Sequence, residues 1–253
     1  MRKLSYPGRS NVLAQNGMVA TSNPLSSMVA INVLQKGGNA VDAAIAASAV
    51  QAVVCPSATG IGGDCFAIIS MNGKKPIAVN GSGIAPKRAN LQFYKDNKIK
   101  NIGLTSPHSV TIPGAVHAWC SMHEKFGRID FNEVLNGAEN FARKGFPVHE
   151  VEAIAWKENE KKLKKNSNSK RLFLNENLSY SYGEVFKNIP LANTLRVISK
   201  NKIKGFYQSE ITKDMVKTLN ELGGLHTEED FYNQKTLFSK TITNSYRNLK
   251  IHQ

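Results

Sequence analysis

Three groups of residues in this sequence have the types and spacing to do chemistry. The first is the glycine cluster TGIGGD, Thr59 to Asp64, whose consecutive backbone N–H groups could cradle an anion. The order of elements argues against a phosphate loop. A dinucleotide fingerprint follows a strand and opens a helix, whereas this cluster follows a helical stretch and opens a strand, with no lysine-serine or lysine-threonine pair behind it. It reads instead as a tight turn with close backbone approach. The second group is the histidines. His117 and His123 lie six apart on one expected helix, so they share no face and do not form a metal-binding pair, while His108 and His149 sit near turns where hydrogen bonding is the ordinary role. The third group is the thiols. Cys65 stands beside the glycines without a cationic partner to lower its pKa, and reads as a small buried thiol rather than a nucleophile. Cys55, Cys65 and Cys120 are odd in number and lack CxxC spacing, which disfavours a disulfide framework and a zinc site alike. No complete catalytic set, metal site or cofactor site emerges from these residues.

The elements that would position such groups alternate between strand and helix patterns. NGMVAT, Asn16 to Thr21, reads as a short strand, after which Asn23 and Pro24 supply an N-cap and a first-turn proline. Leu25, Met28, Val29 and Val33 then follow helical spacing, with Gly37 and Gly38 as the exit. Asn39 caps a second helix with Asp42 at its third position, and the body AVDAAIAASAVQAVV is small and apolar on every side, as a helix pressed between layers must be. Cys65–Ser70 and Pro76–Asn80 read as an antiparallel hairpin turning at Asn72 and Gly73. Helices are expected after Gly114 to Phe126, over Phe131–Lys144, over Pro190–Lys200 and over Glu210–Leu222. A soft sub-domain boundary is expected near Asn166. The last residues, TITNSYRNLKIHQ, read as a strand still in progress, so the chain is expected to stop inside a fold.

Composition narrows the function classes. The 253 residues are 41% hydrophobic, enough for a substantial core, and the net charge is +14. Much of that charge lies in KENEKKLKKNSNSKR, Lys157 to Arg171, which lacks the interleaved aromatics of a base-stacking surface and reads as a solvated helix and loop. Nucleic acid is not expected as a partner. The longest apolar stretch is shorter than a membrane span and contains Asp42, Ser48 and Gln51, so no membrane association is expected either. Pro7 and Gly8 interrupt the start before any apolar run, and with the unpaired cysteines this points to a cytoplasmic protein.

NGMVATSNPLSS, LQKGGNAVDAAIAASAV, TGIGGDCF, NGSGIAP and TIPGAVHAW stand in the order of the landmarks of the gamma-glutamyltranspeptidase family, and ARKGFPV, IKGFYQSEITKDMV and LGGLHTEEDFYNQK continue the pattern. From about Gly17 to its last residue the chain resembles the N-terminal part of that family's large subunit. The resemblance implies an α+β fold, part of a four-layer αββα N-terminal-nucleophile hydrolase sandwich with a helical section. It implies a precursor that cuts itself and exposes a threonine serving as nucleophile and, through its α-amine, as its own base. That threonine is expected beyond Gln253; Thr105, Thr111 and Thr227 are in no matching context, so no catalytic residue is assigned within the chain. The implied partners are the small-subunit half of the same precursor and a small amide substrate, with a dimer of heterodimers as the assembly to test.

Substrate binding is assigned by the same resemblance to Ser82 and Gly83. In family members that use glutathione, the turn matching AVNGSGIAP carries an arginine that holds the α-carboxylate of the γ-glutamyl group, and Ser82 occupies that position here. Losing a bidentate ion pair to a small anionic substrate costs roughly 2 to 4 kcal/mol. Arg88, six residues on and past Pro86, is expected to leave the site. Together with NPLSS, GIGGD and the expected lack of a signal sequence, Ser82 makes the chain resemble the cytoplasmic, γ-glutamyltransferase-like amidohydrolases, a group that includes cephalosporin acylases and oxamate amidohydrolases. The alternatives are an authentic γ-glutamyltransferase with another carboxylate-binding residue, and a non-catalytic scaffold.

Overall fold

A computed structural model describes residues 11–253. In chain order they form α1 (Pro24–Gln35), α2 (Ala40–Val54), β1 (Cys65–Ile69), β2 (Ile77–Gly81), α3 (Leu91–Asp96), α4 (Ala115–Phe126), α5 (Phe131–Lys144), β3 (Phe146–Pro147) and α6 (Glu150–Leu163). Then follow α7 (Ser167–Phe173), β4 (Val185–Phe186), α8 (Ile189–Tyr207), α9 (Glu210–Glu221), α10 (Glu228–Tyr232), β5 (Leu237–Lys240), β6 (Thr243–Tyr246) and β7 (Leu249–His252). The architecture is α+β. Asn166 is the N-cap of α7, whose Phe173 ring returns to within 6.5 Å of Trp156 on α6.

The helix starts are set locally. The Asn23 side chain accepts from Leu25 N with Pro24 in the first turn, and Asn39 and Asp42 form a reciprocal capping box at α2. Exits from α1 and α5 use Gly37 at φ +93° and Gly145 at φ +92°, a region that side chains with a Cβ avoid. The expected end of the Pro190–Lys200 helix falls just before a break in α8, where Lys202 takes φ +50° before the helix resumes to Tyr207.

The helical core stacks α1 on α2, α2 on α5 and α5 on α8, and α2 is buried along nearly its whole length. Its run of alanines is what permits this: small side chains let neighbouring backbones approach on several sides at once. Beside α2, α4 lays Ala118, Trp119 and Met122 against the sheet.

The principal sheet has the order β1-β2-β5, all antiparallel. The expected hairpin is present, with Cys65 opposite Gly81 and Gly73 at φ +71° in its turn. Pleating sends Ile69 and Val79 inward to the helices and Phe66, Ile68 and Leu237 outward. Phe66 and Leu237 are 62% and 61% exposed, and among the described residues no second sheet covers the outer face, which shares a cavity with Ile242 and Gln253.

Two expectations are corrected. Asn16–Thr21 does not form a strand: this segment has no ladder partner among the described residues, and its second half lines a cavity with Ala40, Ala43, Ala44 and Ala47 of α2. A short apolar run cannot by itself supply the neighbouring strand that a β-ladder requires. The last residues are not one strand in progress but the hairpin β6–β7, with Thr243 opposite His252 and Arg247 at φ +53° in the turn. An arginine at positive φ carries no glycine-like signal, so the turn was invisible in the sequence.

Candidate functional site

The turn Ser82–Ile84 leaves the end of the central strand β2 and is where the expected substrate-binding residues fall. Two chain segments meet here backbone to backbone. A Cβ on Gly83 would lie 1.7 Å from the Ile112 carbonyl oxygen, and one on Gly114 would lie 2.0 Å from the Gly81 carbonyl oxygen. Only glycine fits at either position. The approach is closed by a hydrogen bond from Ile112 N to Ile84 O, 2.9 Å.

Each side of this contact is supported from far along the chain. The TIPG segment, Thr111 to Gly114, is held by the Tyr207 hydroxyl, which donates to Pro113 O at 2.7 Å and accepts from His117 N at 3.0 Å. Burial pushes the Tyr207 phenol well above its ordinary pKa, so it stays a donor. Gly63 O accepts from Gly114 N and Ala115 N at 2.8 and 3.0 Å, satisfying two free donors at the start of α4. The TGIGGD cluster therefore makes its close backbone contact through the Gly63 carbonyl. No Cβ added at Gly60 or Gly62 would meet an atom within 4 Å among the described residues.

The Ser82 turn is held by three side chains. Asn80 Oδ1 accepts from Ser82 N at 2.9 Å. Gln234, buried between α10 and β5, accepts from Ile84 N with Oε1 at 3.2 Å, and its Nε2 donates to Ser82 O at 3.0 Å and to Lys235 O at 3.2 Å. Asp230 accepts from Lys87 N at 3.0 Å while closing a capping box with Thr227. Although buried, its carboxyl is held below the usual range because the backbone N–H groups of Lys87 and Thr227 and the Thr227 hydroxyl favour the charged form. His226, also buried, donates from Nε2 to Val110 O, 2.8 Å, at the start of the TIPG segment.

Ser82 itself is exposed. Its hydroxyl makes only a long 3.4 Å contact with Gly83 O, and the Gly83 N–H has no partner among the described residues. The turn thus offers two neutral donors on a rigid backbone, a set suited to an oxygen acceptor such as a carbonyl or carboxylate. Arg88 lies exposed on the Pro86–Ala89 turn, which Asp230 fixes at Lys87, and has no ion pair among the described residues.

The other chemically suggestive residues are kept apart. His123 stands 3.8 Å from the fully buried Asp42 and donates to Ile129 O, while His117 bonds Thr236. His149 lies 3.7 Å from the Cys55 thiol at the far end of α2. Burial raises the pKa of all three thiols, that of Cys120 to about 12, the opposite of what a nucleophile needs. Among the described residues no group of three or more His, Cys, Asp or Glu side chains could hold a metal ion.

Gln234, Asp230 and Tyr207 were missed as site residues by sequence reasoning. The Thr227–Asp230 spacing does signal a capping box, but nothing local to Gln234 points to a turn some 150 residues earlier.

The sheet with one helix-covered face, whose central strand ends in a glycine-built turn, superposes on solved N-terminal-nucleophile hydrolases. The chain belongs to the gamma-glutamyltranspeptidase family, whose sequence model matches residues 26–253. It is 31% identical over 245 residues to the glutathione hydrolase-like YwrD proenzyme of Bacillus subtilis, covering 96% of this chain and 46% of that protein. It superposes on the cephalosporin acylase from Bacillus halodurans with a TM-score of 0.91 at 31% identity, covering 99% of this chain and 48% of the other. With the Helicobacter pylori gamma-glutamyltranspeptidase the TM-score is 0.90 at 30% identity, over 96% and 71% of the two chains. The chain spans less than half the length of the curated relatives it matches.

Proposed function

We propose that this chain is the N-terminal large-subunit part of a self-cleaving threonine-nucleophile amidohydrolase or acyltransferase, whose nucleophile and small-subunit half lie in sequence beyond Gln253. The observation that carries the reading is the uncovered outer face of the β1-β2-β5 sheet. Phe66, Ile68 and Leu237 on a solvent-facing sheet form an apolar surface that a sandwich fold would bury under a second sheet. Among the described residues the β1 edge is also open, and a groove of about 420 Å³ runs between it and Ala40, Ala44 and Ser48 of α2. Small residues in the floor leave room for further strands from the missing half.

Ser82 and Gly83 contact the acyl group of a small amide substrate. With a serine where a guanidinium would grip an α-carboxylate, the turn favours acyl groups without that carboxylate, and the likeness to a cephalosporin acylase supports this. An authentic γ-glutamyltransferase is the second reading, supported by relatives named glutathione hydrolase proenzymes. We also place the protein in the cytoplasm on the strength of its three free thiols.

The test is to express the full precursor and follow its cleavage into two subunits, then compare turnover of a γ-glutamyl anilide with that of amides lacking an α-carboxylate. Cleavage at a threonine with preference for the second class is expected. An uncleaved, inactive precursor overturns the enzyme reading, and efficient anilide turnover inhibited by free glutamate favours the transferase.

A further inference from the structure

We propose that Gln234 is the positioning residue of the substrate-binding turn, acting as a side-chain substitute for a neighbouring strand. The inference rests on the reading of Ser82 and Gly83 as substrate contacts. The β2–β5 ladder ends with Asn80 opposite Leu237, so past that pair the turn has lost its strand partner. Its backbone groups still need one. Gln234 supplies it: the carboxamide oxygen accepts from Ile84 N and the carboxamide nitrogen donates to Ser82 O, bracketing Gly83 as the N–H and C=O of one residue in a parallel neighbouring strand would. A second bond from the same nitrogen to Lys235 O fixes the orientation of the amide, and at 3% exposure the side chain has little freedom to leave.

This arrangement has a consequence for binding. Ser82 O and Ile84 N, on either side of Gly83, are fully engaged, whereas the Ser82 hydroxyl and the Gly83 N–H remain available. Without the bracket, Ser82 O and Ile84 N would seek other partners, and the two donors would no longer be presented at a fixed spacing. Preorganisation of this kind lowers the cost of ordering a site when the acyl donor enters. Gln234 touches no substrate; it acts through the turn. The ligand class that follows is an acyl donor with an oxygen acceptor on its acyl side, read by two neutral donors.

The experiment uses the full-length, self-cleaved protein with Gln234→Leu, which keeps the volume and loses the bonds, and Gln234→Glu, which keeps the acceptor for Ile84 N and loses the donor to Ser82 O. Backbone hydrogen exchange over residues 82–84 is measured with KM and kcat on the best amide substrate. Gln234→Leu is expected to speed exchange at Ile84 and raise KM about tenfold with kcat within about twofold, and Gln234→Glu to fall between it and wild type. Unchanged exchange and KM in both variants overturn the proposal. So does a fall in kcat and melting temperature at constant KM, which marks a structural role alone. If Gln234→Leu fails to yield a cleaved protein, Gln234→Glu decides by the same readouts. A wild-type protein that turns over no amide overturns the substrate role together with the function it rests on, whereas unaltered KM in active variants overturns the role of Gln234 alone.

Discussion

Two places in this molecule gather polar groups from distant parts of the chain, and they are finished in opposite ways. At the start of α2 the carboxylate of Asp42 is wholly buried, accepts from Asn39 N and from Arg128 N through both oxygens, and has His123 beside it. Its donors all come from the protein, and it is sealed from solvent. At the Ser82 turn the buried groups, Gln234 and Asp230, are engaged with backbone, while Ser82 stands in solvent with its hydroxyl open. The Asp42 cluster fixes the junction of α2 with the loop after α4. The Ser82 turn is held equally firmly from behind, but its front is left for something else. A buried polar cluster therefore says little about function until one asks whether any of its groups is left pointing out.

The contrast can be broken or sharpened by substitution. The largest effect is expected for Gly83→Ala, since a Cβ 1.7 Å from the Ile112 carbonyl must push two backbone segments apart. A loss of about 4 kcal/mol in chemical unfolding is expected, near the upper end for single substitutions. A near-neutral result would mean that the turn is adaptable rather than built.

Asp42→Ala comes next. It leaves Asn39 N and Arg128 N buried without their acceptor and should cost about 3 kcal/mol, with no change in KM for an active precursor. A changed KM would erase the distinction between the two clusters.

A smaller effect is expected from pH. Burial holds His226 below its ordinary pKa of 6.5, its Nε2–H is given to Val110 O, and its buried Nδ1 has no partner to receive a second proton. The unfolded chain takes up that proton first, so stability is fully present above about pH 6.5 and falls as pH drops through the lowered folded value. His117, also lowered by burial, works in the same direction. Unfolding titrations between pH 7.5 and 5 should show His226→Gln flattening the slope by at most about 1.4 kcal/mol per pH unit, the limit for one proton. An unaltered slope would remove His226 from the account of what steadies the TIPG segment.

The smallest effect is expected for Ser82→Arg in the cleaved protein. A guanidinium near a substrate carboxylate restores a charge-assisted pair, so turnover of a γ-glutamyl anilide should rise, but by less than about tenfold because nothing around the turn orients an arginine. A fall in kcat/KM on the anilide would place Ser82 away from the acyl group.

Much of the frame was legible before any coordinates. Asn23 with Pro24, Asn39 with Asp42, and the glycine exit at Gly37 marked α1 and α2 because a helix end is satisfied within three or four residues of itself. The β1–β2 hairpin was legible for the same reason, its turn lying between its two strands. The landmarks that relate the chain to its family were also present in plain order, and with them the position of Ser82. What failed was whatever needed a distant partner or an unmarked turn. The segment Asn16–Thr21 reads as a strand but has no strand beside it among the described residues, and the β6–β7 turn passes through Arg247 at a positive φ that no glycine announced.

The sequence by itself determined where helices begin and where the β1–β2 hairpin turns, because each of these depends on the steric and hydrogen-bonding needs of a few consecutive residues. Only the tertiary structure decided that Gln234 would stand behind Ser82, that Tyr207 would hold the TIPG segment, and that β5 would pair with β2. Those contacts join residues between about 90 and 160 positions apart, and no local propensity encodes which distant amide a buried carboxamide will meet. The packing of α2, α4 and α8 brings them together, and that packing is a property of the whole chain.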